Sequence, residues 1–361
     1  MAEPTSTDLI DLARRQVGRT GARMLNGSRY LAGHDFAPVH PTPKDTVWRQ
    51  GKVELWRYRS DRVVHRPPVL IILGLVSRSS LFDLHEKASM VRSLRDAGFD
   101  VFVLDWGVAD AGDADNTLAT YVSRVLPRAM RALLRVSGAD ELSLIGYCMG
   151  GNLALLAVAR HPELPVRNLV TMATSVDFDH LKPQIDPLRR AGEDAGAFVD
   201  ETGCIPGEVI AYFFKVRKPT ADLVQLLRLL DNLDNTAYVQ GHQAISRWAA
   251  DHVPVPRLVA REVVRSWLQE NAFTSGRLSL EGRPVDLAAI TCPLLAVLTL
   301  RDEIVPPAAA RPIGDLVGST DFELLELDAG HVGLAVGRSA HKVMYPHLTD
   351  WLVKHGESAE V

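Results

Sequence analysis

The sequence predicts an α/β fold in which a mostly parallel sheet is flanked by helices and carries an inserted helical cap. From residue 52 onward, short apolar runs rich in branched residues alternate with helical patterns. That alternation stops between residues 179 and 286, where a leucine-rich sequence with a helical pattern replaces it. We therefore predict four segments, which are an N-terminal helix and linker at 1–50, a first core part at 51–178, the cap at 179–285 and a second core part at 286–361.

Seven apolar runs are the predicted strands. Residues 53–58 alternate between apolar and other side chains, which is typical of an edge or half-exposed strand. Four further runs are more uniformly apolar, as buried parallel strands are, and two more continue the series. The six are 68–73, 101–105, 142–145, 169–172, 293–298 and 322–327.

The amino terminus is predicted to form an amphipathic helix with Thr7 or Asp8 as its cap. We favour docking of its apolar face on the core of this chain, and contact with a partner or a lipid-like surface is the alternative. Residues 35–47 contain Pro38, Pro41 and Pro43, and we predict a linker without regular structure there.

Composition limits the classes of function. The 361 residues carry a formal charge of −4 without a long block of like charge, so we expect no nucleic-acid partner. Three cysteines leave at least one free thiol, which favours a reducing cytoplasm. No apolar segment approaches the roughly 20 residues that cross a bilayer, and the start lacks a signal-peptide pattern. We expect a cytoplasmic protein without a transmembrane segment.

The motif Gly146-Tyr147-Cys148-Met149-Gly150 stands between a predicted strand and a predicted helix. That context is typical of a nucleophile elbow, whose strained turn lifts a side chain above the sheet. We predict that Cys148 is the nucleophile and that the backbone N–H of Met149 faces the reacting carbonyl. The loop after strand 68–73 should supply a second oxyanion donor, for which we predict the Val76 N–H, although the alternative is that Gly74 merely ends a strand.

An acid and a base follow two later strands, in the order that the α/β-hydrolase fold imposes. Asp302 lies just past strand 293–298, and His331 lies after strand 322–327. We predict that His331 is the base and that Asp302 is its acid partner. Asp328 and Glu303 are the alternative acid partners. We expect Asp328 to have a structural role and Glu303 to be solvated.

The remaining thiols and imidazoles receive structural interpretations. Cys204 and Cys292 are expected to act as small buried hydrophobes. Four histidines are assigned to a surface or satisfied class, namely His85, His161, His242 and His347. The sequence has no HExxH or CxxC pattern, so we expect no metal.

A cysteine at the elbow favours acyl transfer over hydrolysis. A thiol that takes an acyl group from a thioester forms another thioester, so the acyl group keeps its activation. A helical cap would keep water away from this intermediate.

From about residue 55 onward, the chain resembles the polyhydroxyalkanoate synthases. Its length resembles that of the short class III and class IV synthases, which work with a separate helical subunit. The matching text is Asp105-Trp106-Gly107, Gly146-Tyr147-Cys148-Met149-Gly150-Gly151, Asn168-Leu169-Val170-Thr171-Met172, Val176-Asp177-Phe178, Ile205-Pro206-Gly207-Glu208, Ile290-Thr291-Cys292-Pro293, Asp302-Glu303-Ile304-Val305-Pro306-Pro307 and Gly330-His331-Val332-Gly333.

The resemblance implies polymerisation of (R)-3-hydroxyacyl-coenzyme A, of short chain such as 3-hydroxybutyryl, into a polyester with release of coenzyme A. It implies that Cys148 carries the acyl chain, that His331 activates the thiol, and that Asp302 either orients His331 or helps to deprotonate the attacking hydroxyl. Coenzyme A thioester is then a substrate, and no cofactor is expected. The implied partners are a helical accessory subunit, a second copy of the chain, or both, and the implied location is cytoplasmic, at the polyester granule surface.

Two other functions stay open from the sequence. The same three residues would serve a single-transfer acyltransferase, a thioesterase or a lactone hydrolase. A catalytically silent scaffold for a granule or a partner enzyme is the alternative from another class.

Overall fold

The computed structural model describes residues 6–34, 41–86, 88–181, 199, 201–216, 221–337 and 339–358. The described residues form a nine-stranded main sheet. Its strands are β1 (Lys44–Gln50), β2 (Val53–Tyr58), β3 (His65–Ile72), β4 (Phe99–Asp105), β5 (Leu142–Tyr147), β6 (Val166–Met172), β7 (Leu294–Thr299), β8 (Phe322–Leu327) and β9 (Glu357–Ser358).

The sheet is mostly parallel, as predicted. The strand order is β1-β2-β4-β3-β5-β6-β7-β8, and β9 pairs with the amino-terminal part of β3. Strands β1, β2 and β9 pair antiparallel, and the pairs from β4 to β8 are parallel. Tyr147 of β5 pairs with Met172 of β6, and Thr299 of β7 pairs with Leu327 of β8. The carboxyl ends of these strands therefore share one edge, where the loops after them meet.

Helices cover both faces of the sheet. The described α-helices are α1 (Ser6–Leu31), α2 (Met90–Asp96), α3 (Leu126–Ser137), α4 (Met149–Arg160), α5 (Gly207–Val216), α6 (Ala221–Asp231), α7 (Thr236–Ala250), α8 (Arg257–Glu262), α9 (Pro307–Ala310), α10 (Ile313–Leu316), α11 (Gly333–Val336) and α12 (Tyr345–Lys354). Short π-helical segments lead into α3 and α12 and follow α8, at Thr120–Val125, Ala340–Met344 and Val263–Gln269.

Alternate residues of the central strands enter two separate apolar layers. In β3, Leu70 and Ile72 join the layer that includes α3 and α4, whereas Val69 and Ile71 join the layer that includes α2 and α12. All four side chains are fully buried. A strand buried on both faces reads as a continuous apolar run, which is why these strands were predictable from the sequence.

The edge of the sheet corrects one prediction and decides between the two alternatives of another. Residues 44–47, which we expected to lack regular structure, belong to β1, because Pro43 is the last proline of the predicted linker and the next residues pair with β2. Residues 35–40 lie outside the described residues. Strand β2 is half-exposed but is not the edge, since β1 covers its outer side.

The predicted cap, 179–285, is largely helical where it is described and contains α5 to α8. It also holds two short ladders that the sequence did not predict, one joining Cys204–Ile205 to Val255–Pro256 and the other joining Ser279–Leu280 to Arg283–Pro284. Each strand of these ladders has two residues, too few for an alternating pattern to be visible.

Helix α1 docks on the cap, and not on the core as we expected. The Arg19 Nε donates to the Asp234 carboxylate at 2.7 Å, and the Asn26 amide donates to the Leu233 carbonyl at 2.7 Å. Polar contacts to the turn between α6 and α7 thus hold the helix, and hydrophobic periodicity carries no information about such contacts. Among the described helices, none has the combined length and apolar composition that crossing a bilayer requires.

Candidate active site

Cys148 stands at a strained turn between β5 and α4. Its backbone has φ +54° and ψ −126°, a region that residues with a Cβ atom rarely enter. The Cys148 N–H donates to the Met172 carbonyl at 2.8 Å, and the Thr174 hydroxyl donates to the Cys148 carbonyl at 3.2 Å. The end of β6 and the loop after it therefore hold both backbone polar groups of Cys148.

The glycines around Cys148 allow the backbone to pack this closely. A Cβ atom at Gly150 would lie 2.4 Å from the Ile72 carbonyl oxygen, and one at Gly151 would lie 1.9 Å from the Thr174 hydroxyl oxygen. At Gly146 it would lie 2.5 Å from the Gly151 Cα. Larger residues would push α4 away from the sheet, so the glycine pattern that predicted the elbow has a steric cause.

His331 and Asp302 are hydrogen-bonded at the same edge of the sheet. The Nδ1 of His331 lies 2.8 Å from Oδ2 of Asp302, and both residues are buried. Oδ2 also accepts from the Thr299 hydroxyl at 2.9 Å, and Oδ1 accepts from the N–H groups of Ile304 and Val305 at 2.9 and 2.8 Å. Four donors fix the carboxylate, which leaves the other nitrogen of His331 for the thiol.

The pKa values of this pair favour the charged forms. Burial opposes protonation of His331, but the charges of Asp302 and Cys148 and hydrogen bonds to both raise the pKa of His331 above its ordinary 6.5. Burial likewise opposes ionisation of Asp302, but the charge and hydrogen bond of His331 and the donors from Val305 and Thr299 hold the pKa of Asp302 below its ordinary value. Cys148 and His331 line the same cavity, so the structure brings the three predicted residues to one edge of the sheet.

The rival acids occupy other surroundings. Asp328 is 75% exposed and pairs with the Arg301 guanidinium at 2.6 Å. Glu303 is exposed. The carboxylate bonded to His331 is that of Asp302, as the position after β7 predicted.

Tyr147 supports His331 from the core side, and our sequence reasoning did not single it out. Its hydroxyl donates to the His331 carbonyl at 2.7 Å, and the two rings meet edge to face at 5.4 Å. Phe82 packs against the other side of Tyr147 at 6.0 Å. The sequence shows an aromatic residue directly before Cys148, but it does not show the partner of that residue, which is 184 residues away.

The predicted oxyanion loop lies directly against the start of α4. A Cβ atom at Gly74 would lie 2.6 Å from the Met149 Cβ, so Gly74 has a steric role besides ending β3. Val76 and Cys148 line the same cavity. Both predicted donors, the N–H groups of Val76 and Met149, therefore belong to segments that adjoin Cys148, and their role as donors stays a prediction.

A cavity of about 1700 Å³ opens above Cys148 and extends beneath the cap. The sheet edge and its loops form its floor, and α5, α6 and α7 supply much of its wall, with side chains that include Tyr212, Arg228, Tyr238, Ile245 and Trp248. A space of this size between cap and core suits a long flexible substrate.

The four histidines that we assigned to a surface or satisfied class divide into two groups. His161 and His347 each have a carboxylate partner, Glu163 at 3.1 Å and Glu323 at 2.6 Å, and the Nε2 of His161 is buried without one among the described residues. His85 and His242 line the cavity, which their sequence surroundings did not reveal because the cap brings distant segments together. The Nδ1 of His242 lies 3.2 Å from the Tyr30 hydroxyl of α1, and burial lowers the pKa of His242.

The other cysteines lie apart from this chemistry. All three cysteines are free thiols. Cys204 is fully buried, and its Sγ lies 3.5 Å from the Asp110 carbonyl oxygen. Burial raises the pKa of Cys292 to about 11, which keeps it a thiol near neutral pH. In the described part of the chain, no group of three or more His, Cys, Asp or Glu side chains is arranged to hold a metal ion.

Comparison with known proteins assigns the chain to a family. The family model described as alpha/beta hydrolase fold matches residues 67–337, which confirms the predicted fold. The poly(3-hydroxyalkanoate) polymerase subunit PhaC of Allochromatium vinosum is 33% identical over 354 residues, covering 96% of this chain and 96% of the relative. The chain belongs to the PhaC family. The PhaC of Haloferax mediterranei is 32% identical, over 98% of this chain and 73% of its own length.

Membership of the PhaC family makes the chain an enzyme of the acyltransferase class, as the sequence resemblance implied. A solved structure supports the same fold. Epoxide hydrolase A of Mycobacterium thermoresistibile superposes with a TM-score of 0.53 and 17% identity, over 88% of this chain and 99% of that one. At such identity the likeness shows the fold alone.

Proposed function

We propose that the chain polymerises (R)-3-hydroxyacyl-coenzyme A into a polyester and releases coenzyme A, with Cys148 as the residue that carries the acyl chain. The observation that carries this proposal is the 33% identity to a poly(3-hydroxyalkanoate) polymerase subunit over 96% of both chains. A thiol at the strained elbow, beside the His331–Asp302 pair, gives that activity a chemical basis.

Acylation begins when the Cys148 sulfur attacks the carbonyl carbon of the thioester. His331 holds the thiol proton as an imidazolium, and the buried Asp302 keeps this ring in orientation. The N–H groups of Met149 and Val76 stabilise the oxyanion. The bond between the carbonyl carbon and the coenzyme A sulfur then breaks, and coenzyme A leaves with the proton that His331 returns.

Chain growth uses the 3-hydroxyl group of another acyl unit. That oxygen attacks the Cys148 thioester, an ester bond forms and the bond to sulfur breaks. His331 takes the hydroxyl proton, which restores the Cys148–His331 pair. His331 is the base for this step, and Asp302 either orients it or helps to deprotonate the hydroxyl. The thioester on Cys148 preserves the activation that ester formation needs, which a serine ester would not.

The cavity beneath the cap suits this reaction. Its volume of about 1700 Å³ leaves room for an acyl unit and part of a polymer, and the cap limits the access of water to the acyl-enzyme. We propose short acyl units such as 3-hydroxybutyryl, an accessory helical subunit or a second copy of the chain as partner, and a cytoplasmic location at the granule surface. These follow from the resemblance to the short synthases.

The test is an assay of the purified chain, with a candidate helical subunit supplied, on 3-hydroxybutyryl-coenzyme A. We expect release of coenzyme A together with polymer, identified by product mass. Free 3-hydroxybutyrate would instead indicate a thioesterase, and a single ester product would indicate a one-step acyltransferase. Failure of a thiol-reactive substrate analogue to label Cys148 in the folded, partner-bound protein would indicate a silent scaffold.

A further inference from the structure

The two ends of the loop that carries Val76 are bound to the core. At its start, the indole N–H of Trp106 donates to the Leu73 carbonyl at 2.7 Å. At its end, the Ser79 hydroxyl donates to the Leu104 carbonyl at 3.2 Å, and Ser79 is buried. Strand β4 and the residue after it therefore fix both ends of this loop.

The middle of this loop is bound to the cap. The Nδ1 of His252 lies 3.0 Å from the Val76 carbonyl oxygen, and because a carbonyl only accepts, Nδ1 is the donor. The Val253 N–H donates to the same oxygen at 3.4 Å, and Ser77 forms an antiparallel bridge with His252. The residue that we predict as an oxyanion donor is thus held by two donors from the cap.

Two further contacts join the next loop residue to the end of α7. The Trp248 indole N–H donates to the Arg78 carbonyl at 2.9 Å. The Arg78 guanidinium donates to both Asp251 carboxylate oxygens, at 3.1 and 3.2 Å. Because the Asp251 side chain is 55% exposed, this ion pair orients the Arg78 side chain more than it stabilises the fold.

Helix α7 also forms part of the cavity wall. Tyr238, His242 and Ile245 line the cavity from the helix that ends at Ala250, just before His252. One rigid element therefore contacts both the space for substrate and the loop beside Cys148.

From these contacts we propose that His252 is a positioning residue, which places the Val76 N–H for oxyanion stabilisation and makes acylation of Cys148 depend on the position of the cap. This inference rests on the proposed function, because it takes Val76 as an oxyanion donor. An oxyanion hydrogen bond acts through its geometry, and loss of one donor lowers the rate by about 100-fold to 1000-fold in other enzymes. A displaced donor should cost about 10-fold to 100-fold.

The test compares His252→Leu, which removes the donor, with His252→Asn, whose side-chain amide nitrogen can replace Nδ1. The rate constant for acylation of Cys148 is measured as the burst of coenzyme A from 3-hydroxybutyryl-coenzyme A in the full chain with its subunit. We expect His252→Leu to lower this constant by about 10-fold to 100-fold with KM changed less than about 3-fold. His252→Asn should recover most of the wild-type rate.

Alkylation of Cys148 by iodoacetamide separates positioning from general damage. Alkylation uses the thiol and His331 but forms no oxyanion, so its rate should be unchanged in His252→Leu. His347→Leu is the matched control, since that histidine pairs with Glu323 outside the cavity lining, and it should keep wild-type acylation. Equal acylation in His252→Leu and wild type, or a parallel loss of acylation and alkylation, would overturn the inference.

The same measurements distinguish this inference from the proposed function. Release of coenzyme A without polymer would reject polymerisation and leave the effect of His252 on acylation measurable. Polymer formation that is insensitive to His252 would reject the positioning role alone. A wild-type chain that no thioester acylates would reject both.

Discussion

The hydroxyl of Tyr147 donates a 2.7 Å hydrogen bond to the carbonyl oxygen of His331. Tyr147 is the last residue of β5 and precedes Cys148, whereas His331 stands in the loop after β8. The bond joins the end of the strand before Cys148 directly to the loop of His331. With the edge-to-face contact of the two rings, it holds the His331 loop against the end of β5.

Tyr147→Phe should weaken both the fold and the reaction. The change removes one of two donors to the His331 carbonyl, which keeps the Leu334 N–H at 3.2 Å, so we expect a loss of about 0.5–1.5 kcal/mol in the free energy of unfolding. Because His331 would then be less well held, kcat should fall with little change in KM. Urea unfolding and steady-state kinetics measure the two effects. Tyr30→Phe removes a hydroxyl from a less buried hydrogen bond, and a loss of stability as large as that of Tyr147→Phe would contradict the assignment.

Substitution of the three thiols should separate the nucleophile from the other two. Cys148→Ser should lower polymerisation by at least about 1000-fold, because the alcohol is a poorer nucleophile toward a thioester and its ester is less activated. Cys204→Ala and Cys292→Ala should retain activity within a few-fold and lose some stability, since both side chains are packed. Release of coenzyme A is the measurement, and comparable losses in all three variants would mean that Cys148 is not the acyl carrier.

Asp302→Asn should inactivate the enzyme while preserving the fold. The N–H groups of Ile304 and Val305 would select the amide oxygen, so the amide NH₂ would face Nδ1 of His331. That arrangement favours the tautomer with its hydrogen toward Cys148, which cannot accept the thiol proton, and we expect a loss of about 10⁴-fold in kcat. The control is Asp328→Asn, whose carboxylate is exposed and should be dispensable. Similar activity in the two variants would assign the acid role elsewhere.

The strained turn at Cys148 and the positions of Asp302 and His331 were predictable because each depends on the local sequence. Gly146, Gly150 and Gly151 report a close approach that only glycine allows, and Asp302 and His331 each follow an apolar strand. The docking of α1 on the cap and the contact between His252 and Val76 were not predictable, because they join segments about 200 and 176 residues apart through polar groups. Periodicity reports which face of an element is apolar, and it does not report which distant segment covers that face.

The stability of the chain should fall with rising pH because of His331. The charges and hydrogen bonds of Asp302 and Cys148 outweigh burial and raise the pKa of His331 to about 10, against 6.5 for the unfolded chain. Its contribution to stability is therefore complete below about pH 6.5 and is lost as the pH rises toward 10. Between these values the folded chain keeps a proton that the unfolded chain releases, so the free energy of unfolding falls by up to about 1.4 kcal/mol per pH unit.

Urea unfolding of the wild type and of two variants at pH 7 and pH 9 tests this dependence. His331→Gln removes the titrating group, and Asp302→Asn removes a charge that raises its pKa, so both variants should lose less stability between the two pH values than the wild type. The titration of Asp302 itself affects stability only in acid. Its pKa is lowered in the folded chain, so its contribution to stability is complete above its ordinary pKa and is lost as the pH falls below that value. Equal losses of stability from pH 7 to pH 9 in all three proteins would show that the folded chain holds no extra proton at His331.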